Sequence, residues 1–282
     1  MLNISLEIES IIEQALTEDL YLGDPTTTAT IPDGLEGTAI LLSKGHGIVA
    51  GLPVALGVFQ RIDQSLKTEA WIEDGDHLEP EIRIAKIQGP LSAILMAERT
   101  ALNFLQRLSG IATETARYIQ AVSGLGVRIV DTRKTTPGLR TLEKYAVTIG
   151  GGKNHRHNLG DGILIKDNHI AALQRQGITL EEVVRRARVH APHSLRIEVE
   201  VETITQATEA LNGGAEILLL DNMGLEDMRK VVELVKGRAL TEASGGITLE
   251  NVRAVGETGV DIISVGALTH SVKSMDISLD IE

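Results

Sequence analysis

Residues 196–223 read RIEVEVETITQATEALNGGAEILLLDNM, a strand, a helix and a second strand in immediate succession. In Ile197–Val201 acidic and apolar positions alternate. A pleated strand therefore puts Glu198, Glu200 and Glu202 on one side and Val199 and Val201 on the other. Thr203–Leu211 has helical spacing, and Ile217–Leu220 is a short aliphatic run that stops at Asp221. The same unit recurs on both sides. Val127–Val130 ends at Asp131, Ile163–Ile165 at Lys166 and Ile262–Val265 at Gly266, while Leu240 leads to Glu242. Between them lie the helix-like segments Leu180–His190, Leu225–Val235 and Leu249–Glu257. Strands alternating with helices every ~25–30 residues pair in parallel through right-handed crossovers. About six such units favour an open, TIM-like α/β barrel, with the chemistry at the C-terminal ends of its strands. In such a barrel the valines of Ile197–Val201 face the helices and the glutamates face the interior, where buried carboxylates require cations.

The first ~110 residues follow a different pattern and read as a smaller α+β sandwich domain. A helix-like start at Leu6–Leu20 precedes a Thr-rich turn at Thr26–Thr30. Strand candidates are Thr38–Ser43, Ile48–Ala50, Thr68–Ile72 and Ile82–Ile87, with a hairpin-like turn at Glu73–Asp76. Pro90 opens a helix running to about Leu108. Gly45-His46-Gly47-Ile48-Val49-Ala50 matches a loose dinucleotide pattern, but no helix opens at its second glycine, so it reads as a tight turn. The expected division is 1–111 for this domain, 112–270 for the barrel, and a tail, 271–282, packing back on the N-terminal domain.

Bulk properties restrict the function. The chain has 282 residues, a formal net charge of -12 and no Cys. That charge argues against a general binder of nucleic acid or anionic membranes. The lack of Cys excludes disulfides, thiolate metal sites and a Cys nucleophile. With no signal-peptide pattern and no apolar run long enough to span a bilayer, a cytoplasmic location is expected.

Against this acidic background stands DTRKTTPGLRTLEKYAVTIGGGKNHRHNLGDGILIKDNH, residues 131–169. Arg133, Lys134, Arg140, Lys144, Lys153, Arg156 and Lys166 face only Asp131, Glu143, Asp161 and Asp167, a local +3. A small polyanionic ligand accounts for such an island. His155-Arg156-His157 lacks the company a metal pair needs, whereas Arg and His together suit carboxylates. Glu242-Ala243-Ser244-Gly245-Gly246 and the Ser264–His270 stretch follow late strands, where glycines let main-chain N–H groups approach a phosphate. Glu200 and Asp221-Asn222 supply hard oxygens for Mg²⁺ or for sugar hydroxyls, two roles that spacing does not separate.

Together with ERTALNFLQRLSGIAT around Arg99, with EVEVET, LLLDNM, EASGGIT and VGALTHS, these blocks closely resemble the quinolinate phosphoribosyltransferase family over nearly the whole chain. The resemblance implies transfer of phosphoribosyl from phosphoribosyl pyrophosphate to quinolinate with decarboxylation, in a homodimer with shared active sites; dimer and hexamer both stay open. It assigns the quinolinate pocket to Arg133, Lys134, His155 and Arg156, with Arg99 supplied by the other subunit. Lys166 bridges the two substrates. Glu200 and Asp221 hold ribose hydroxyls and Mg²⁺, and Ser244, Gly245, Gly246, Gly266 and His270 take the 5-phosphate. Three other readings remain: a paralogue linked to molybdenum transport, a Schiff-base barrel enzyme using Lys166, and a non-catalytic phosphosugar-binding regulator. The Lys and Asp of the KDNH block, present here as Lys166 and Asp167, are not expected in the first.

Overall fold

A computed structural model describes residues 4–282 and divides into two compact units. The catalytic candidate comprises 117–134 and 152–270; the other comprises residues up to 116, 135–151 and 271–282. The excursion 135–151 has no counterpart in the sequence reading of one continuous stretch 112–270. Its cause is local packing. The helix Arg140–Ile149 buries Glu143 completely, and the Arg107 guanidinium reaches that carboxylate at 2.8 Å. Gly150 lies so close to the helix Leu91–Ala121 that a Cβ would meet the Ala112 carbonyl oxygen at 2.3 Å.

The first unit is built on a four-stranded sheet. Its order is Ile277–Ile281, Glu36–Ser43, Arg83–Pro90, Lys67–Ala70, with every neighbouring pair antiparallel. The tail thus supplies an edge strand. Its approach is tight, for a Cβ on Gly110 would sit 2.2 Å from the Lys273 carbonyl oxygen.

Three local expectations change here. Thr26–Thr30 is not a turn but most of a short helix, Pro25–Thr30, because Asp24 caps Thr27 and Pro25 presets the first turn. The hairpin expected at Glu73–Asp76 is absent, since the strands flanking it pair elsewhere. Instead the Asp74 carboxylate accepts the N–H groups of Gly51 and Leu52 and the Tyr145 hydroxyl. This caps a helix, Leu52–Ile62, that the sequence reading missed. Gly47 stands in a two-residue strand, where a Cβ would meet Thr113 Oγ1 at 2.4 Å; its role is close packing.

The second unit carries six parallel strands in the order Arg128–Val130, Ile262–Ser264, Leu240–Ser244, Ile217–Asp221, Ile197–Val201, Ile163–Ile165. All but Leu240–Ser244 carry a short aliphatic run, and helices such as Leu180–His190 and Leu225–Val235 run as expected. Register sets the interior. Glu200 lies opposite Leu219, Leu219 opposite Glu242, and Asp221 opposite Ser244. Residues side by side in parallel strands point the same way, so one face gathers Glu198, Glu200, Leu219, Asp221, Glu242 and Ser244. The opposite face presents Val199, Val201, Leu218, Leu220 and Ala243, all buried. The outermost strands, Arg128–Val130 and Ile163–Ile165, do not pair with each other. Segment 153–155 lines this gap. Lys153 donates to the Ile129 carbonyl at 2.9 Å, and the buried Asp131 carboxylate accepts the His155 N–H at 2.9 Å.

Candidate active site

The C-terminal ends of these strands surround a cavity of about 590 Å³. Ten sequence-predicted residues line it: Arg133, Lys134, His155, Arg156, Lys166, Glu200, Asp221, Ser244, Gly245 and Gly246. Each position has a local cause. Lys166 follows the strand Ile163–Ile165, where its N–H donates to His169 Nδ1 at 3.0 Å and its Nζ reaches Glu200 Oε2 at 3.2 Å. Thr269 Oγ1 donates to the Lys134 carbonyl at 2.7 Å, fastening the Arg133-Lys134 loop to the turn that holds Gly266 and His270. Those two do not border the cavity themselves. They stand behind Lys134, for a Cβ on Gly266 would lie 3.5 Å from its Cδ and 2.9 Å from His270 Nε2. Gly245 has φ +88, and a Cβ there would run into Asn222 Oδ1 at 2.2 Å, so the turn requires glycine. Arg99 belongs to the first unit, exposed on the helix Leu91–Ala121.

The electrostatics divide the cavity. On one side Arg133 and Arg156 are near neighbours. Burial lowers the Arg156 pKa from its ordinary value, and repulsion by Arg133 lowers it further. The Arg133 Nε is buried with no hydrogen-bond partner. On the other side Glu200 and Asp221 end adjacent strands, with the Asn222 amide donating to Asp221 at 2.9 Å. Hard oxygens so placed suit Mg²⁺.

The sequence reading missed the floor. Glu198 and Glu242, 6% and 2% exposed, approach His155 Nε2 to 3.2 and 3.6 Å. Burial, and then the neighbouring Glu198, push the Glu242 pKa up to about 7. His155 Nδ1 accepts the Arg156 main-chain N–H at 2.8 Å. Both ring nitrogens are therefore engaged inside the protein. The alternation of Glu198 and Glu200 announced two inward carboxylates, but pairing Glu198 with Glu242 required the strand order, which no local pattern carries. Thr132 and Ser264 also border the cavity.

Fold and site together define an α/β-barrel enzyme for small polyanions. One known family matches most of the chain. The N-terminal domain model of quinolinate phosphoribosyl transferase matches residues 24–109, and the C-terminal domain model 111–280. A Bacillus subtilis protein described as a probable nicotinate-nucleotide pyrophosphorylase [carboxylating] is 44% identical, covering 98% of this chain and 94% of its own. A mitochondrial quinolinate phosphoribosyltransferase [decarboxylating] 2a from Nicotiana tabacum is 43% identical, covering 98% and 82%. The crystal structure of NadC from Streptococcus pyogenes superposes with a TM-score of 0.94 at 40% identity, over 100% of this chain and 98% of that one. The chain belongs to the quinolinate phosphoribosyltransferase family.

Proposed function

We infer that this chain transfers the phosphoribosyl group of phosphoribosyl pyrophosphate to quinolinate, releasing pyrophosphate and CO2 and giving nicotinate mononucleotide for NAD synthesis. The observation that carries this reading is that Arg133 and Arg156 line one cavity, where the Arg133 charge lowers the Arg156 pKa and the buried Arg133 Nε has no hydrogen-bond partner. Two adjacent guanidiniums repel each other until a dianion enters, and a pyridine dicarboxylate supplies two carboxylates at fixed spacing. Lys134 adds a third cation, and Lys166 stands between this side and Glu200.

In the first step the pyridine nitrogen attacks ribose C1 as the C1–O bond to pyrophosphate breaks. The nitrogen needs no general base. Lys166 helps neutralise the departing pyrophosphate, and Glu200 and Asp221 favour the positive charge growing at C1. Glu200 and Asp221 would also hold Mg²⁺, which when bound neutralises charge on the pyrophosphate. The ribosylated nitrogen is cationic. The bond from C2 to its carboxylate then breaks, the electron pair stays on C2 beside that nitrogen, and a proton takes the place of CO2. Ser244, Gly245, Gly246, Gly266 and His270 are assigned to the 5-phosphate.

The test is an end-point assay with quinolinate, phosphoribosyl pyrophosphate and Mg²⁺, following CO2 and nicotinate mononucleotide together. Equal yields, with nicotinate inert in a parallel reaction, are expected; ligand binding without turnover would point to a regulator instead.

Arg99 is assigned to a neighbouring subunit's site in a homodimer, a reading supported by its exposure on the helix Leu91–Ala121. If so, Arg99→Ala and Lys166→Ala are each inactive alone. After mixing and subunit exchange, about a quarter of sites regain every residue, because half the dimers are mixed and each has one intact site. No recovery, with exchange verified by mass, would assign Arg99 elsewhere.

A further inference from the structure

We propose that Asn222 is a positioning residue for the phosphoribosyl half of the site, fixing the rotation of the Asp221 carboxylate and bracing it against the Gly245 turn. This deepens the reading above and rests on it. In a regular strand neighbouring side chains point to opposite faces, so a residue following Asp221 would face away from the cavity. The chain leaves the regular strand at this point. Asn222 has φ +52, the left-handed region that Asn enters more readily than most residues bearing a Cβ. Its main-chain N–H still donates to the Ser244 carbonyl at 2.9 Å, so the bend is pinned to the adjacent strand. The bend brings the Asn222 side chain to the cavity wall beside Asp221.

A carboxylate at a strand end turns easily about its last torsion, whose energy profile is broad and two-fold. The Asn222 amide removes that freedom. Its Nδ2 donates to Asp221 Oδ2 at 2.9 Å, which commits one carboxylate oxygen and leaves Oδ1 for ligand. On the other side of the amide stands Gly245, φ +88, where a Cβ would collide with Asn222 Oδ1. The turn assigned to the 5-phosphate therefore packs directly on this amide. One side chain thus sits between the carboxylate assigned to ribose hydroxyls and the glycines assigned to phosphate. Both groups belong to one rigid sugar ring and its substituent, so their separation in the protein has to be held. Asp at this position would set a second negative charge against Asp221, and Gly would keep the backbone but supply no donor.

Asn222→Gly tests this, because glycine adopts positive φ without strain and only the amide is lost. Calorimetric titration with phosphoribosyl pyrophosphate should show binding weakened about tenfold, the worth of one hydrogen bond to a charged acceptor. The Kd of quinolinate should stay within about twofold of the native value. In an Asp221→Ala background the same change should cost less than about twofold, because the carboxylate it orients is already gone. Equal losses in both backgrounds would mean that Asn222 acts on ligand independently of Asp221 and would overturn the proposal. Quinolinate binding weakened to the same extent would mark a general collapse of the site and would overturn it too. A second measurement needs no folded Asn222 variant. In the unliganded native protein one Asn222 Nδ2 proton should resonate downfield of its twin, and Asp221→Ala should abolish that difference. A free-amide spectrum in the native chain refutes the proposal. If the native chain binds neither substrate, the functional reading fails instead, and the amide shift still decides whether Asn222 holds Asp221.

Discussion

Replacing Arg156 with alanine is expected to lower kcat/KM for quinolinate by about three orders of magnitude while leaving thermal stability unchanged or slightly raised. Removing one partner of a desolvated ion pair costs roughly 2–5 kcal/mol, much of it from the charge left unpaired. The upper half of that range corresponds to the expected loss. Stability moves the other way because the folded protein holds this guanidinium at a cost: burial and the Arg133 charge both oppose it before ligand enters. An active site that stores such repulsion trades stability for recognition. Steady-state kinetics and a melting curve on one preparation check both parts. Near-normal kcat/KM would remove Arg156 from the pocket. Lys134→Ala should reduce turnover in the same direction, again with the fold intact.

The second large effect is on stability against pH. Glu242 has its pKa raised from 4.5 to about 7 in the folded chain, through burial first and Glu198 second. Between those values the folded protein keeps a proton that the unfolded chain has released. Stability therefore falls as pH rises through this window, by on the order of 3 kcal/mol once the carboxyl is ionised. Glu242→Gln retains the shape and cannot ionise. The urea midpoint of the variant should gain on that of the native protein between about pH 5 and about pH 8. Parallel midpoint curves would show that Glu242 titrates normally.

Much of this molecule could be read from residue order, for identifiable reasons. Period-2 alternation in Glu198–Glu202 and the aliphatic runs ending in Asp131, Lys166 and Asp221 are local signals, and they located the parallel strands and most of the cavity lining. The helices Leu6–Leu20, Leu180–His190 and Leu225–Val235 have the expected ends because caps and apolar faces lie within one or two turns of them. What escaped depends on distant partners. The helix Leu52–Ile62 begins at a glycine with φ +86 and is capped from Asp74, 22 residues downstream of Leu52. The pairing of Glu198 with Glu242 depends on strand order. His155 stands in the cavity lining as expected, but the approach of its ring to Glu198 and to the Arg156 main-chain N–H is set by distant strands and needed coordinates to see.

The tail strand Ile277–Ile281 pairs with Glu36–Ser43, joining Ala39 to Ile281 across 242 positions of sequence. During synthesis the helices and inner strands of the first unit emerge well before the edge strand Ile277–Ile281. Until that strand arrives, Glu36–Ser43 presents an unpaired row of main-chain groups, largely apolar, to other copies of the chain. Truncation before Ile277 leaves that edge open. Ile277–Ile281 thus acts as a seal whose loss is felt first as aggregation during expression, ahead of any change in catalysis.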